Sequence, residues 1–148
     1  MLKTLGALLA LGAMALPAMV TAAEFEVLML NKGTDGKTMG FSPSFLQIEP
    51  GDTVKFIPVD KGHNAETILG MIPDAAATWR GKVDEEFSVT FTVEGLYGYK
   101  CFPHYAMGMV GLIQVGKDRS NMSEMLNARL PARAQARMAE LFAKTSPR

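Results

Sequence analysis

The chain is poor in the side chains that cross-link proteins and build multi-metal sites: it has one cysteine, two histidines and one tryptophan in 148 residues. A single cysteine excludes an intramolecular disulfide. Charge of one sign is also missing, because 15 basic side chains balance 15 acidic ones. No basic cluster carries interleaved aromatic residues, so nothing indicates nucleic-acid binding. Only local charged patches can therefore identify partners.

Long hydrophobic runs are absent apart from one at the N-terminus. Lys3 precedes an apolar stretch from Leu5 to Leu16, and small residues follow at 21–23. This pattern is typical of an export signal, and the apolar stretch is shorter than the about 20 residues of a membrane span. We expect residues 1–23 to be a signal peptide, cleaved after residue 22 or 23. The alternative is an uncleaved N-terminal anchor.

The remaining residues, 24–148, are enough for one domain with a real core. Their first part alternates short apolar segments with turn signals such as Glu-Pro-Gly-Asp at 49–52. This rhythm, without long helices between the segments, predicts an all-β fold, a β-sandwich or barrel. The predicted strands are 25–30, 45–48, 53–59, 87–93, 96–101 and 109–115.

From about residue 119 the sequence changes to helical patterns. Two helices are predicted, over 120–129 and 131–144. Asn121 is a candidate N-cap of the first helix, and Pro131 suits the first position of the second. The second helix places apolar residues at steps of three or four. We expect both helices to pack against the β-sheets.

The only cysteine lies in the stretch KCFPHYAMGM, residues 100–109. An unpaired cysteine in an exported protein indicates an intermolecular disulfide, a reactive thiol, a metal-bound thiolate or an inert buried thiol. Here Cys101, His104 and Met109 have the spacing C-x2-H-x4-M. A thiolate, an imidazole and a thioether suit copper, whereas hard cations avoid thioethers.

The second histidine completes a ligand set. His63 follows the predicted strand 53–59. Two histidines and one thiolate form a trigonal set, and Met109 then serves as the long axial ligand of a blue-copper electron-transfer site. All histidine and cysteine side chains of the chain are thereby used, which predicts one copper ion.

At these motifs the sequence resembles the cupredoxins, a family of small blue copper proteins, and in particular its members with a two-helix C-terminal tail. The resemblance implies a Greek-key β-sandwich with two C-terminal α-helices, formed by residues 24–148. One departure is Phe102, where a small polar residue is expected. The matching segments are 28–33 (LMLNKG), 50–54 (PGDTV), 56–64 (FIPVDKGHN) and 100–109 (KCFPHYAMGM).

Roles beside the ligands follow from the resemblance. We expect Asn64 to tie the two ligand loops together by hydrogen bonds and to donate near the Cys101 sulfur. Pro103 removes a backbone donor beside that sulfur. The alternative for both residues is ordinary turn chemistry. Met39 corresponds to a family position that packs on the His104 ring.

The resemblance also implies a periplasmic one-electron carrier whose exposed His104 edge is the electron port. Its partners would be a copper nitrite reductase of denitrification, as acceptor, and possibly c-type cytochromes; we expect a monomer. A basic ring would steer an acidic partner, unless these are ordinary solvated side chains. The expected apolar patch contains Met39, Pro103, Ala106 and Met107, and the expected ring contains Lys32, Lys37, Lys61, Arg80 and Lys100.

Two other functions compete with electron transfer. A copper enzyme needs a second metal site or an open position for substrate, and no histidine remains for either, so we expect no enzyme. A copper carrier or storage protein would favour exposed methionine clusters, whereas Met107 and Met109 are only a pair. The same ligands also accept zinc, which would be redox silent.

Overall fold

The computed structural model describes residues 21–145. The predicted signal peptide therefore lies almost entirely outside the described residues and stays a prediction. None of the helices among residues 21–145 is long and apolar enough to span a bilayer. The strands are β1 Glu24–Lys32, β2 Thr38–Ser42, β3 Phe45–Ile48, β4 Thr53–Pro58, β5 Glu66–Thr67, β6 Phe87–Thr90, β7 Gly95–Lys100 and β8 Val110–Val115, and the α-helices are α1 Met122–Asn127 and α2 Ala132–Phe142.

Two four-stranded sheets form a sandwich, with strand orders β2-β1-β4-β6 and β3-β8-β7-β5. The pairs β1–β4 and β3–β8 are parallel and the others are antiparallel. Strands that follow one another in sequence often lie in different sheets, so the chain crosses repeatedly between the two sheets. The predicted all-β sandwich with two C-terminal helices is confirmed.

Strand β8 is buried along its whole length because it is covered on both faces. Ile113 and Val115 lie in the cluster between the sheets, together with Cys101 and Met109. Val110 belongs to a second cluster, on the outer face, beneath the two helices. The helices thus bury the outer face of this sheet in a second hydrophobic core. This packing holds β8, the strand that follows the C-x2-H-x4-M stretch, on both faces.

The strand predictions were close but not complete. β2 was missed, since TMGFS lacks a clear alternation of apolar and polar residues. The predicted strand 87–93 ends its pairing at Thr90, although the alternation of burial continues to Val93. Pro58 lies at the end of β4, as its missing N–H requires.

The helix termini differ from the prediction in their chemistry. Asn121 occupies the N-cap position of α1, but its side chain makes no capping bond. Its amide instead accepts from the Leu96 N–H at 3.1 Å and donates to the Leu96 carbonyl at 2.8 Å. Pro131 precedes α2 as its N-cap rather than standing at the first helical position. The side chain of Asn121 therefore fixes the tail to β7 instead of capping the helix.

Met138 tests how much the tail contributes to stability, because only 2% of its surface is exposed beneath α2. Met138→Ala should lower the free energy of unfolding by about 2–5 kcal/mol through lost burial and a cavity. Leu126→Ala is the control, since Leu126 on α1 is 57% exposed. Chemical denaturation measures both variants, and equal losses would contradict the packing described.

Candidate metal centre

Three metal-binding side chains converge at one end of the sandwich. The ligand atoms of His63, Cys101 and His104 all lie within 4.8 Å of one another. Cys101 and His104 come from the loop between β7 and β8, residues 101–109, called here the ligand loop. His63 comes from the segment between β4 and β5, residues 59–65, called here the His63 loop. The structure brings these three side chains together, and their role as metal ligands stays a prediction.

The donor spacing fits one metal ion. Cys101 Sγ lies 3.7 Å from Nδ1 of His63 and 3.5 Å from Nδ1 of His104. A metal–nitrogen bond of about 2.0 Å and a metal–sulfur bond of about 2.3 Å, about 120° apart, place the two donors about 3.7 Å apart. Both imidazoles present the same nitrogen to the sulfur. Both sulfur–nitrogen separations therefore suit donors that share one metal ion.

Burial shifts the pKa of two of these groups, in opposite directions. Burial raises the pKa of the Cys101 thiol, and hydrogen bonds from the backbone of Asn64 and His104 oppose that rise. Burial, followed by the neighbouring His104, lowers the pKa of His63. A neutral imidazole is the form that binds metal, so the lowered pKa favours His63 as a ligand.

The ligand loop is closed at its base. The Cys101 N–H donates to the Met109 carbonyl at 3.0 Å, and the Met109 N–H donates to the His104 carbonyl at 3.2 Å. Tyr105–Met107 forms one 3₁₀ turn, which ends at Gly108 with φ of 88°. Met109 is fully buried, in the same hydrophobic cluster as Cys101. Met109, the predicted axial ligand, thus shares a buried cluster with Cys101 and directly precedes β8.

The His63 loop is held by contacts on both sides of the imidazole. Nε2 of His63 is 2.9 Å from the Asn31 side-chain oxygen at the end of β1. The Gly62 N–H donates to the Asp84 carboxylate at 2.6 Å, and the Asp84 N–H donates to the His63 carbonyl at 3.0 Å. With Nδ1 facing the sulfur, Nε2–H is free to donate to Asn31, which fixes the tautomer.

The side chain of Asn64 joins the two loops. Its side-chain oxygen accepts from the Phe102 N–H at 2.7 Å. Its amide nitrogen donates to the Gly81 carbonyl at 3.1 Å and to the Glu66 carboxylate at 3.2 Å. The Asn64 amide is buried, so its hydrogen bonds to Gly81 and Glu66 lie in a low-dielectric environment where such bonds are strong.

A mostly apolar surface surrounds the ligand histidine. His104 is half-buried, and Phe102, Pro103, Ala106 and Met107 are exposed around it. We call these four residues and His104 the docking face. Met39 is half-buried against the hydrophobic cluster that contains Cys101. Its packing on the His104 ring stays a prediction, as does any effect of Pro103 on the sulfur.

Some side chains of the predicted basic ring form ion pairs with carboxylates, and others do not. Arg80 and Lys100 both bind the Glu66 carboxylate, at 3.0 Å and 3.5 Å. They also lie over the Phe102 ring, at 5.4 Å and 5.8 Å from its centroid. Lys37 pairs with Glu140 on α2. Within residues 21–145, Lys32 and Lys61 form no ion pair and are exposed; they are therefore the freest positive charges of the predicted ring.

Comparison with known proteins agrees with this site. Residues 27–116 match the plastocyanin/azurin family of copper binding proteins. The chain is 47% identical to a putative pseudoazurin of Rhizobium leguminosarum bv. viciae, over 88% of this chain and 85% of that one. It is 46% identical to the pseudoazurin of Paracoccus pantotrophus, over 84% and 86% of the two chains. The crystal structure of pseudoazurin from Methylobacterium extorquens AM1 superposes with a TM-score of 0.79 at 46% identity, covering 83% of this chain and 99% of that one.

The sandwich and its cluster of two imidazoles and a thiol define a cupredoxin, a class of electron carriers that hold one copper ion. The chain belongs to the plastocyanin/azurin family of copper-binding proteins and, within it, to the pseudoazurins. It is accordingly a type 1 copper electron carrier that works with redox partner proteins, and not an enzyme.

Several residues that shape the site were not found from the sequence. Asn31 lies just beyond the predicted strand 25–30, and its side chain contacts His63. Asp84 precedes the predicted strand 87–93, and its carboxylate accepts from the Gly62 N–H in the His63 loop. Glu66 forms ion pairs with Arg80 and Lys100, and the sequence predicted no role for it. Each acts across a long sequence separation, and no local spacing signals such a contact.

Asn64→Ala tests the bridge between the loops. Losing the buried amide should lower the unfolding free energy of the metal-free protein by about 1–3 kcal/mol, because the Phe102 N–H loses its partner. Copper dissociation should accelerate roughly 10–100-fold. The control is Asn127→Ala, because Asn127 bonds only locally, to the Ser123 carbonyl on exposed α1. If both variants release copper at the wild-type rate, Asn64 does not organise the site.

Proposed function

We propose that this protein is a periplasmic one-electron carrier in which His63, Cys101, His104 and Met109 hold a single copper ion. The observation that supports this most strongly is the convergence of two imidazole nitrogens on one buried thiol, at 3.7 Å and 3.5 Å. The family to which the chain belongs binds copper. When bound, copper supplies a one-electron Cu(II)/Cu(I) couple.

The residues around this set keep its geometry constant. Cys101 would supply a thiolate to the ion, His63 and His104 would each supply an imidazole nitrogen, and Met109 would supply a thioether. The closed base of the ligand loop and the Asn64 bridge hold these side chains before any metal arrives. A preorganised set needs little movement between oxidation states, which favours rapid electron transfer. Complete burial of His63, Cys101 and Met109 excludes water from three of the four donors.

The docking face supplies the route for electrons. His104 is the only one of the four ligands that is not fully buried, so its outer edge is the shortest path between the metal and a partner. Exposed Ala106, Met107 and Pro103 give that edge an apolar border that a partner can desolvate. Phe102, at 58% exposure, extends the border towards Arg80 and Lys100.

The partner we propose is an acidic redox protein of the same compartment, a copper nitrite reductase acting as acceptor in denitrification. A c-type cytochrome is the proposed donor. Lys32 and Lys61 carry positive charge that is not neutralised within residues 21–145, and this charge would steer such partners. Residues 1–23 would direct export to the periplasm and be removed after residue 22 or 23, which leaves a single-domain monomer from residue 24.

Cys101→Ser tests the copper assignment. The wild-type protein with Cu(II) should show an intense thiolate-to-copper absorption band and a narrow copper hyperfine splitting in electron paramagnetic resonance. The variant should lose both, because a hydroxyl cannot replace the thiolate donor. The control is Met107→Ala, which removes an exposed thioether and should leave both signals intact. A variant at position 101 that retains the intense band would exclude Cys101 as a ligand.

Lys61→Glu tests the steering charge. At low ionic strength its second-order rate of electron transfer to nitrite reductase should fall roughly tenfold, with a weaker dependence on salt. Lys117→Glu makes the same change in net charge but follows β8 at the end away from the ligand loop. Stopped-flow kinetics compares the two variants. Equal rates for both variants would show that only net charge matters and that Lys61 does not border the docking face.

A further inference from the structure

Arg137 of α2 joins two segments that flank the metal centre. Its Nη1 donates to the Gly108 carbonyl at 2.9 Å and to the Met39 carbonyl at 2.6 Å. Its Nη2 donates to the Thr38 carbonyl at 2.7 Å. Gly108 directly precedes Met109, and Thr38 begins β2. One guanidinium on the C-terminal helix therefore connects the ligand loop to the first sheet.

The backbone of α2 also touches the ligand loop. A Cβ on Gly108 would lie 3.0 Å from the Arg133 carbonyl oxygen, so the loop and the first turn of the helix are in close contact. Gly108 has φ of 88°, in the region that favours glycine. The peptide before Met109 is thus held by the helix on one side and by the strands on the other.

Met39 has an unusual backbone conformation at the other end of this connection. Its φ is 53°, which is uncommon for a residue with a long side chain. The hydrogen bond from Arg137 to its carbonyl stabilises the peptide in that orientation. Met39 packs against the cluster that contains Cys101 and Met109, so this backbone position also affects the surroundings of the site.

The contacts of Arg137 are not needed simply to dock the helix. Ala134, Met138 and Leu141 already bury the apolar face of α2 against the outer sheet. The planar fork of arginine supplies several donors in fixed directions, and here they reach three carbonyls. A lysine ammonium offers no such fixed array. These contacts therefore define the position of the loop rather than the attachment of the tail.

We propose that Arg137 is a positioning residue of the metal centre. By holding the Gly108 and Met39 carbonyls it fixes the peptide that precedes Met109, and so couples the seating of the C-terminal helix to the axial ligand. This inference rests on the proposed role of Met109. It gives the tail a direct part in electron transfer, as the element that limits movement of the axial sulfur.

The test compares Arg137→Met with Arg137→Lys in the full protein loaded with copper. Arg137→Met should change the intensity ratio of the visible absorption bands, shift the midpoint potential and accelerate copper loss to a chelator about tenfold or more. Arg137→Lys keeps the charge but lacks the fork. It should recover these properties only in part, whereas a purely electrostatic role would make it equal to wild type and would overturn the proposal.

Arg119→Met is the matched control. Arg119 donates to the Thr145 hydroxyl at 2.9 Å and fastens the end of the tail without contacting the ligand loop. It should lower stability yet leave the spectrum and the potential unchanged. Arg137→Lys carries the test if Arg137→Met does not fold. Should Arg119→Met change the spectrum as much as the Arg137 variants do, the effect belongs to general loosening of the tail and the positioning role is wrong.

Different results contradict the proposed function and the positioning role of Arg137. A wild-type protein without the intense thiolate-to-copper band contradicts the proposed function itself. A blue wild-type protein together with an Arg137→Met variant of identical spectrum, potential and copper retention contradicts only the positioning role. A changed Arg137→Met spectrum beside an unchanged Arg119→Met spectrum supports both.

Discussion

The site depends on the closure of the ligand loop, in which the Cys101 N–H donates to the Met109 carbonyl at 3.0 Å. This bond starts the pairing of β7 with β8 and holds the backbone of Cys101 next to that of Met109. Seven residues lie between Cys101 and Met109 in the sequence, yet both enter the same hydrophobic cluster. His104 is then confined to the top of the loop, at the surface. The sandwich thereby converts a short sequence motif into a fixed arrangement of donors.

The remaining contacts extend this constraint in three directions. Asn64 connects the ligand loop to the His63 loop through the Phe102 N–H. Asn31 fixes the outer nitrogen of the His63 ring. Arg137 ties the loop to α2 and to β2. A site held from so many sides has little freedom to change shape with oxidation state, and that rigidity is what an electron carrier requires. The same arrangement leaves only the His104 edge open to a partner.

The sequence indicated most of the proposed ligand set because three of its members lie in one loop, where spacing alone brings them together. His63 followed because no other histidine was left for the site. The supporting contacts could not be found in this way. Arg137 is 98 residues from Met39, and its role depends on where α2 docks. Asn121 had the right residue type for a helix cap, but the adjacent edge of β7 offered its amide two better-placed partners.

X-ray absorption at the copper edge, recorded on the oxidised and the reduced protein, tests the central claim most directly. The account predicts one short copper–sulfur distance and two copper–nitrogen distances in the oxidised state, with only small changes on reduction. A spectrum that shows no copper–sulfur distance would contradict the assignment of Cys101 as a ligand. A first shell that gains or loses a ligand on reduction would contradict the preorganised geometry on which rapid electron transfer depends.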